Sequence, residues 1–255
     1  MNDSSDSMDD EFDTLAAWTA DVASALDPAY RIPAGCRGSG SPGAMRWLLD
    51  HLLPEPGQIF LDCGAGVGGP AAFAAQEAGV HALLTDPELG ACRAARSLFG
   101  LPALQAATRL PIATGAIGVG WSLGVLSTVA DQPAFLAEIR RVLQPDARFA
   151  LIVYCAAHAG NLSLQQPDGN TFPTIQVLQD LLDRASLQAL ASGWIDDFAA
   201  LPADWEDAMA SVQAELQRRH GTDPRWHNTQ EQSNRMGSLL GVGEVRGRLL
   251  VLQPT

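Results

Sequence analysis

The chain has 255 residues, 47% of them hydrophobic and 18% charged, with a formal net charge of −13. That length holds one large α/β domain with a buried sheet, or that domain plus a small cap. The acidic balance argues against a nucleic-acid partner, and no run of about 18 apolar residues marks a membrane span.

All sixteen basic residues are arginine, which removes Schiff-base chemistry and a phosphate-loop lysine. The four cysteines, Cys36, Cys63, Cys92 and Cys155, form no C-x-x-C pair and have no His at ligand spacing. They read as buried free thiols in a reducing compartment, with no metal site. Residues 1–13 are rich in Ser, Asp and Glu and lack the basic and apolar parts of a signal peptide. They read as a disordered acidic tail on a cytoplasmic protein.

Residues 14–57 read as N-terminal helices and a lid loop. Apolar residues at Phe12, Leu15, Ala16, Trp18, Val22 and Leu26 predict a helix over 11–26. Residues 27–33 look irregular, and the glycine-rich stretch 35–43 looks like a flexible loop. Arg37 in that loop makes it a candidate lid, able to pair with a ligand carboxylate; a plain linker is the alternative. A short amphipathic helix over 45–53 leads to a turn at 54–57.

The core, 58–155, opens on Ile59-Phe60-Leu61-Asp62, then Gly64-Ala65-Gly66-Val67-Gly68-Gly69-Pro70. A short apolar run, a bare turn and a Pro at a helix start make a strand–glycine–helix corner of the nucleotide-binding kind. The glycines satisfy both G-x-G-x-x-G and G-x-G-x-G. Asp62 decides between them. An acid facing that corner repels a pyrophosphate and attracts a cation, so the ligand expected is S-adenosylmethionine, with its ammonium and sulfonium. The second strand, 80–84, leads to Asp86, twenty residues after Gly66, where corners of this type place an acceptor for ribose hydroxyls. A helix over 87–98 follows, then strands at 104–107 and 117–122, a helix at 133–143, a turn at 144–147 and a fifth strand at 148–154.

The glycine motif resembles the first motif of class I S-adenosylmethionine-dependent methyltransferases. The likeness extends through Arg109-Leu110-Pro111, Ile117 to Val129 and Ile139-Arg140-Arg141-Val142-Leu143-Gln144-Pro145, in the manner of the ubiquinone/menaquinone-biosynthesis (methyltransferase type 11) group. It implies a Rossmann-like, seven-stranded, mostly parallel sheet with the last strand antiparallel between the fifth and sixth. Helices cover both faces, with a small helical cap. It also implies S-adenosylmethionine as cofactor, held by Arg37, Asp62, Gly64, Ala65, Gly66, Asp86, Pro87, Ala107, Thr108, Ser122 and Leu123. The sequence departs from the pattern in places. Ala106 stands where the family has an Asp for the adenine amino group, leaving backbone near Ala107 and Thr108. Gly118 replaces a further acid, and Gly124, Ser127 and Thr128 stand where a Glu and a His are common.

Residues 156–255 read as the rest of the sheet. They hold a helix at 173–184, strands at 187–194 and 245–252, and a helical cap inserted at about 201–241 with helices at 204–220 and 229–240. Candidate substrate residues are Tyr30, Tyr154 and His158, with Asn170, His220, Trp226 and His227 as further polar or aromatic groups. The function expected is methyl transfer to a small-molecule acceptor. The alternatives are a catalytically altered S-adenosylmethionine-binding protein of the same fold and, further off, an NAD-dependent oxidoreductase.

Overall fold

In the computed structural model, residues 3–160 and 162–255 are described, with side chains from Phe12 onward. Seven strands form one sheet: β1 (Ile59–Cys63), β2 (His81–Asp86), β3 (Ala103–Gln105), β4 (Ile117–Leu123), β5 (Leu143–Ala156), β6 (Leu187–Trp194) and β7 (Val245–Pro254). The order is β3-β2-β1-β4-β5-β7-β6. β1 to β5 pair in parallel, and β7 runs antiparallel between β5 and β6, as the resemblance implied. β5 begins earlier than the sequence suggests: Gln144–Ala147, expected as a turn, already extend from Leu143, which pairs with Ile117.

Helices cover both faces. α3 (Pro42–Leu52), α4 (Gly69–Ala78) and α5 (Leu89–Phe99) lie on the face shown by Phe60, Leu84, Trp121 and Ile152. α6 (Gln132–Val142) and α7 (Ile175–Arg184) cover Leu61, Phe149, Leu151 and Leu250 on the other face. Burying these aliphatic and aromatic side chains, at roughly 1.5–3 kcal/mol each, drives the layered arrangement.

The N-terminal part differs from expectation. α1 runs Asp3–Ala25, so the stretch expected as a tail is helical from Asp3; Met1 and Asn2 lie outside the described residues. Carboxylates in the first turns of a helix are favoured by its dipole, so the acidic composition that suggested disorder also suits a helix start. The segment expected to be irregular forms a 3-10 turn at Pro28–Tyr30 and α2 (Arg31–Gly35). α2 meets α4 backbone to backbone: a Cβ on Gly35 would stand 2.8 Å from Gly69 Cα, so glycine is required at this crossing. The cap consists of α8 (Ala203–His220) and α9 (Pro224–Gly241), longer at its N-terminus than the sequence pattern showed because Asp223 caps it and Pro224 opens it. Leu15 and Val22 of α1 join Val212, Leu216 and Trp226 in one buried cluster, fixing the cap to the N-terminal helix.

Arg141 explains why the Arg-Arg-Val-Leu run stands where it does. Its guanidinium donates to the carbonyls of Ile112 (2.9 Å) and Leu110 (3.2 Å), and to both oxygens of Glu138 (2.6 and 2.7 Å). Glu138 in turn accepts the Leu110 N–H at 2.7 Å. The irregular β3–β4 connection therefore takes its shape from one side of α6. Replacing Arg141 by Ala leaves those acceptors to solvent and Glu138 unpaired. The expected loss is about 2 kcal/mol of unfolding free energy in urea titrations, and no change at all would contradict this role.

Candidate active site

The site lies at the carboxyl ends of β1, β2 and β4, where the strand order switches between β1 and β4. Open α/β sheets bind ligands at such a point. β1 delivers Asp62 and then the glycine turn. Gly64 and Ala65 donate their N–H groups to the Thr85 carbonyl at 2.8 and 3.1 Å, which folds the turn over the end of β2. Gly66 donates to Asp86 Oδ2 at 2.8 Å, and Glu88 donates to Asp86 Oδ1 at 3.0 Å. The carboxylate of Asp86 thus clamps the glycine turn to the start of α5.

The glycines of the turn serve different ends. Gly64 has φ +76°, and a Cβ there would collide with the side chain of Val125, so its bareness serves packing. Gly66 has φ +53° and open space where a Cβ would stand. It is Gly66 that presents bare backbone outward beside Asp86.

Asp62 is 1% exposed, and its Oδ2 has no hydrogen-bond partner. It shares a sheet face with Trp121, its registered neighbour on β4, whose indole N–H also lacks a partner of ordinary geometry. Burial pushes the Asp62 carboxyl up to about 7, with the Trp121 indole offsetting part of the rise and the charge of nearby Asp86 adding to it. Asp86 is also raised, mainly by burial, against the pull of the Glu88 and Gly66 N–H groups. The two acids therefore stand at the carboxyl ends of adjacent strands and feel each other's charge.

Other expected site residues are placed as follows. Pro87 lies on the rim, its carbonyl accepting from Gln105 at 2.9 Å. Ala107 and Thr108 are exposed just beyond β3, and Ala106 donates its N–H to the Asp86 carbonyl at 2.9 Å. Ser122 and Leu123 are buried at the end of β4, with Ser122 Oγ unpartnered. Tyr154 is the aromatic at the end of β5: its hydroxyl donates to the Gly38 carbonyl at 3.2 Å, tying the 36–41 loop to the sheet edge, and burial raises its pKa to about 12. His158 is exposed near Glu244, whose carboxyl is held below the usual range chiefly by the Ser163 hydroxyl.

Two assignments change. Tyr30 packs against the cluster of Leu15, Val22, Leu216 and Trp226, because the 3-10 turn brings it to the cap. Arg37 donates to Ser233 Oγ on α9, which ties the loop to the cap. Trp226 is fully buried with its N–H on Gln217, and His220 stacks on Trp18 with ring centroids 4.0 Å apart. Sequence reading missed Asp13. Set within the supposed tail, it accepts the Gly90 N–H in the first turn of α5, and its charge reaches Asp86. The apolar spacing beginning at Phe12 was the available signal that Asp13 lay inside a helix.

The state of Asp62 has a measurable consequence. Between 3.8 and about 7 the folded protein holds a proton that the unfolded chain has released, so stability falls as pH rises through that window and levels off above it. Asp62→Asn removes the penalty. The variant is expected to match wild type near pH 4 and to exceed it at pH 8 by up to ~4 kcal/mol in urea titrations. An equal difference at both pH values would refute a buried, proton-holding Asp62.

Residues 61–151 match the family model described as a methyltransferase domain. No curated protein matches the sequence. Among solved structures, the chain superposes on the cyclopropane synthase MmaA2 from Mycobacterium tuberculosis with a TM-score of 0.69 and 15% identity, over 89% of this chain and 94% of that one. It superposes on the [4+2]-cyclase SpnF with a TM-score of 0.66 and 17% identity, over 84% and 81% of the two chains. A putative sarcosine dimethylglycine methyltransferase from Galdieria sulphuraria gives 0.61 and 16% identity, over 82% and 84%. At these identities the superpositions carry the fold. Residues 61–151 thus match a methyltransferase domain, and the sheet that holds them has the Rossmann-like methyltransferase fold.

Proposed function

We propose that the chain is an S-adenosylmethionine-dependent methyltransferase acting on a small-molecule acceptor. The observation that carries this reading is the placing of Asp62 and Asp86 at the ends of adjacent strands, beside the open backbone of Gly66. The residues suit that donor. Each Asp86 oxygen accepts one backbone N–H and keeps a lone pair, so ribose hydroxyls can be bound without dismantling the turn. The unpartnered Oδ2 of Asp62 is a site for an ammonium group, which would also draw the carboxyl back toward its ionised form. A pyrophosphate would meet two buried acids instead. Pro87, Ala107 and Thr108 line the side on which an adenine would lie, with backbone in place of the absent acid at Ala106. When bound, the donor supplies a methyl group on a sulfonium that is already a good leaving group. What remains for the protein is to orient the acceptor and exclude water.

The hydroxyls that stand where relatives of this group carry an acid and a His point elsewhere. Thr128 Oγ1 donates to the Val125 carbonyl at 2.8 Å and Ser127 Oγ to the Gly124 carbonyl at 3.5 Å. Neither is poised as a base, so an acceptor that needs no deprotonation at the site is favoured. The same observation supports a second reading, an S-adenosylmethionine-binding protein turned to another reaction; one neighbour of this fold is described as a [4+2]-cyclase. No described helix is long and apolar enough to cross a membrane. The cysteines are free and buried, which suits a cytoplasmic protein.

Calorimetric titration with S-adenosylhomocysteine tests the proposal. Saturable binding is expected, with none for NAD. Asp86→Ala should weaken it by about 3 kcal/mol, roughly a hundredfold, as two charge-assisted hydrogen bonds are lost. Tight NAD binding without S-adenosylhomocysteine binding would reverse the assignment.

A further inference from the structure

The two acids give the donor a direction. With its ribose at Asp86 on the end of β2 and its ammonium at Asp62 on the end of β1, the rest of its amino-acid end leads toward β4. Residues 35–41 stand there. A Cβ on Gly69, at the start of α4, would lie 2.3 Å from the Gly35 carbonyl carbon and 2.7 Å from the Cys36 nitrogen. A Cβ on Gly124, just after β4, would lie 2.8 Å from the Gly38 oxygen. Gly40 approaches β5, where a Cβ on it would lie 3.1 Å from Ile152 Cδ1. The charge of Asp62 also reaches the Cys36 thiol. The segment therefore runs from α4, past Asp62, to β4 and β5.

The two ends of the donor site differ in access. Gly66 has open space beside it, and Pro87, Ala107 and Thr108 are exposed, so the adenosine end is open to solvent. Asp62 is 1% exposed and Cys36 5%. An ammonium group cannot reach the unpartnered Oδ2 of Asp62 until its cover shifts.

That cover is fixed at its ends and fastened lightly between them. At one end Gly35 packs backbone to backbone on Gly69. At the other, Ser41 Oγ accepts the Ala44 N–H at 3.1 Å and donates to the Phe198 carbonyl at 2.5 Å. Between these points Arg37 donates to Ser233 Oγ of α9, and Tyr154 donates to the Gly38 carbonyl at 3.2 Å. Arg37 and Gly38 are exposed, so water can take the place of either partner. Gly38 and Gly40 have φ +76° and +80°, a backbone region that glycine enters and leaves at little cost. Losing one exposed hydrogen bond shifts such an equilibrium by roughly fivefold. Loops held this way open and close on the time scale of ligand exchange.

We propose that residues 36–40 form a flap that shuts the amino-acid end of the donor site, and that Arg37 on Ser233 of the cap is its latch. The identity of the ligand rests on the methyltransferase reading; the flap and its latch do not. Association and dissociation rates are measured by surface plasmon resonance for S-adenosylhomocysteine and for 5′-methylthioadenosine, which keeps the adenosine and sulfur but lacks the amino-acid end. Ser233→Ala should raise both rates for S-adenosylhomocysteine about threefold or more and leave those for 5′-methylthioadenosine unchanged. Arg37→Ala combined with Ser233→Ala should match Arg37→Ala alone, because the two residues act through one bond. With no ligand present, iodoacetamide should alkylate Cys36 about threefold faster in Ser233→Ala, with Cys63, Cys92 and Cys155 unchanged by peptide mass spectrometry. Unchanged rates, equal acceleration for both nucleosides, or unchanged Cys36 alkylation would overturn the proposal. Faster alkylation of all four thiols together would overturn it as well, since it reports general loosening. If the wild type binds neither nucleoside, the methyltransferase reading falls and Cys36 alkylation alone decides the latch.

Discussion

The carboxylate of Asp86 is the point on which the site is built. It ends β2, accepts the Gly66 N–H from the turn after β1, and accepts the Glu88 N–H before α5. Three separate pieces of chain thereby converge on two oxygens. A charge-assisted bond to a backbone N–H is among the stronger hydrogen bonds a protein makes, and it fixes direction as well as distance. The glycine turn has almost no side chains with which to hold itself, so its shape has to be imposed from outside. Asp86 and the Thr85 carbonyl impose it. Asp13 of α1 extends the arrangement by occupying the Gly90 N–H one step further along α5.

Asp62 stands in a different relation to stability. A fully buried acid with an unpartnered oxygen is a net burden on folding, and neighbouring Asp86 adds to it. Trp121 relieves only part of that load. Such a group persists where a ligand completes its bonding, so the unsatisfied oxygen of Asp62 points to function more strongly than packing does. Phe60 packs edge-on against the same Trp121 at 4.9 Å. The aromatic pair therefore holds rigid the wall against which Asp62 lies.

The sheet was legible in the sequence because its strands are short apolar runs bounded by Gly, Pro and Asp, and that pattern depends on neighbours in the chain. The glycine motif and the distance to Asp86 were legible for the same reason. What the sequence hid was direction. Tyr30 and Arg37 are of the right type and near the motif, yet a one-turn helix points Tyr30 into the cap cluster, and α9 takes up Arg37. Gly64 looked like a ligand-facing glycine; its neighbour is Val125, which lies more than fifty residues on in the chain, so no local pattern could show it. The acidic N-terminus misled because Asp and Ser at a helix start and Asp and Ser in a disordered tail have the same composition.

One stretch of α9 connects the cap to two loops. Ser233 receives Arg37 from the loop that Tyr154 ties to the sheet edge. Gln232 and Arg235, neighbours on the same helical stretch, grip Asp168 of the loop between β5 and α7. Residues 232–235 thus join the loop beside the glycine turn to the loop between β5 and α7. α9 is in turn anchored through Trp226, packed against α1, which also carries Asp13 to the start of α5. A displacement of α9 would act on both loops at once, while the sheet beneath is fixed by its own ladders. The geometry ties both loops to the position of one surface helix, through polar contacts that are individually weak enough to exchange.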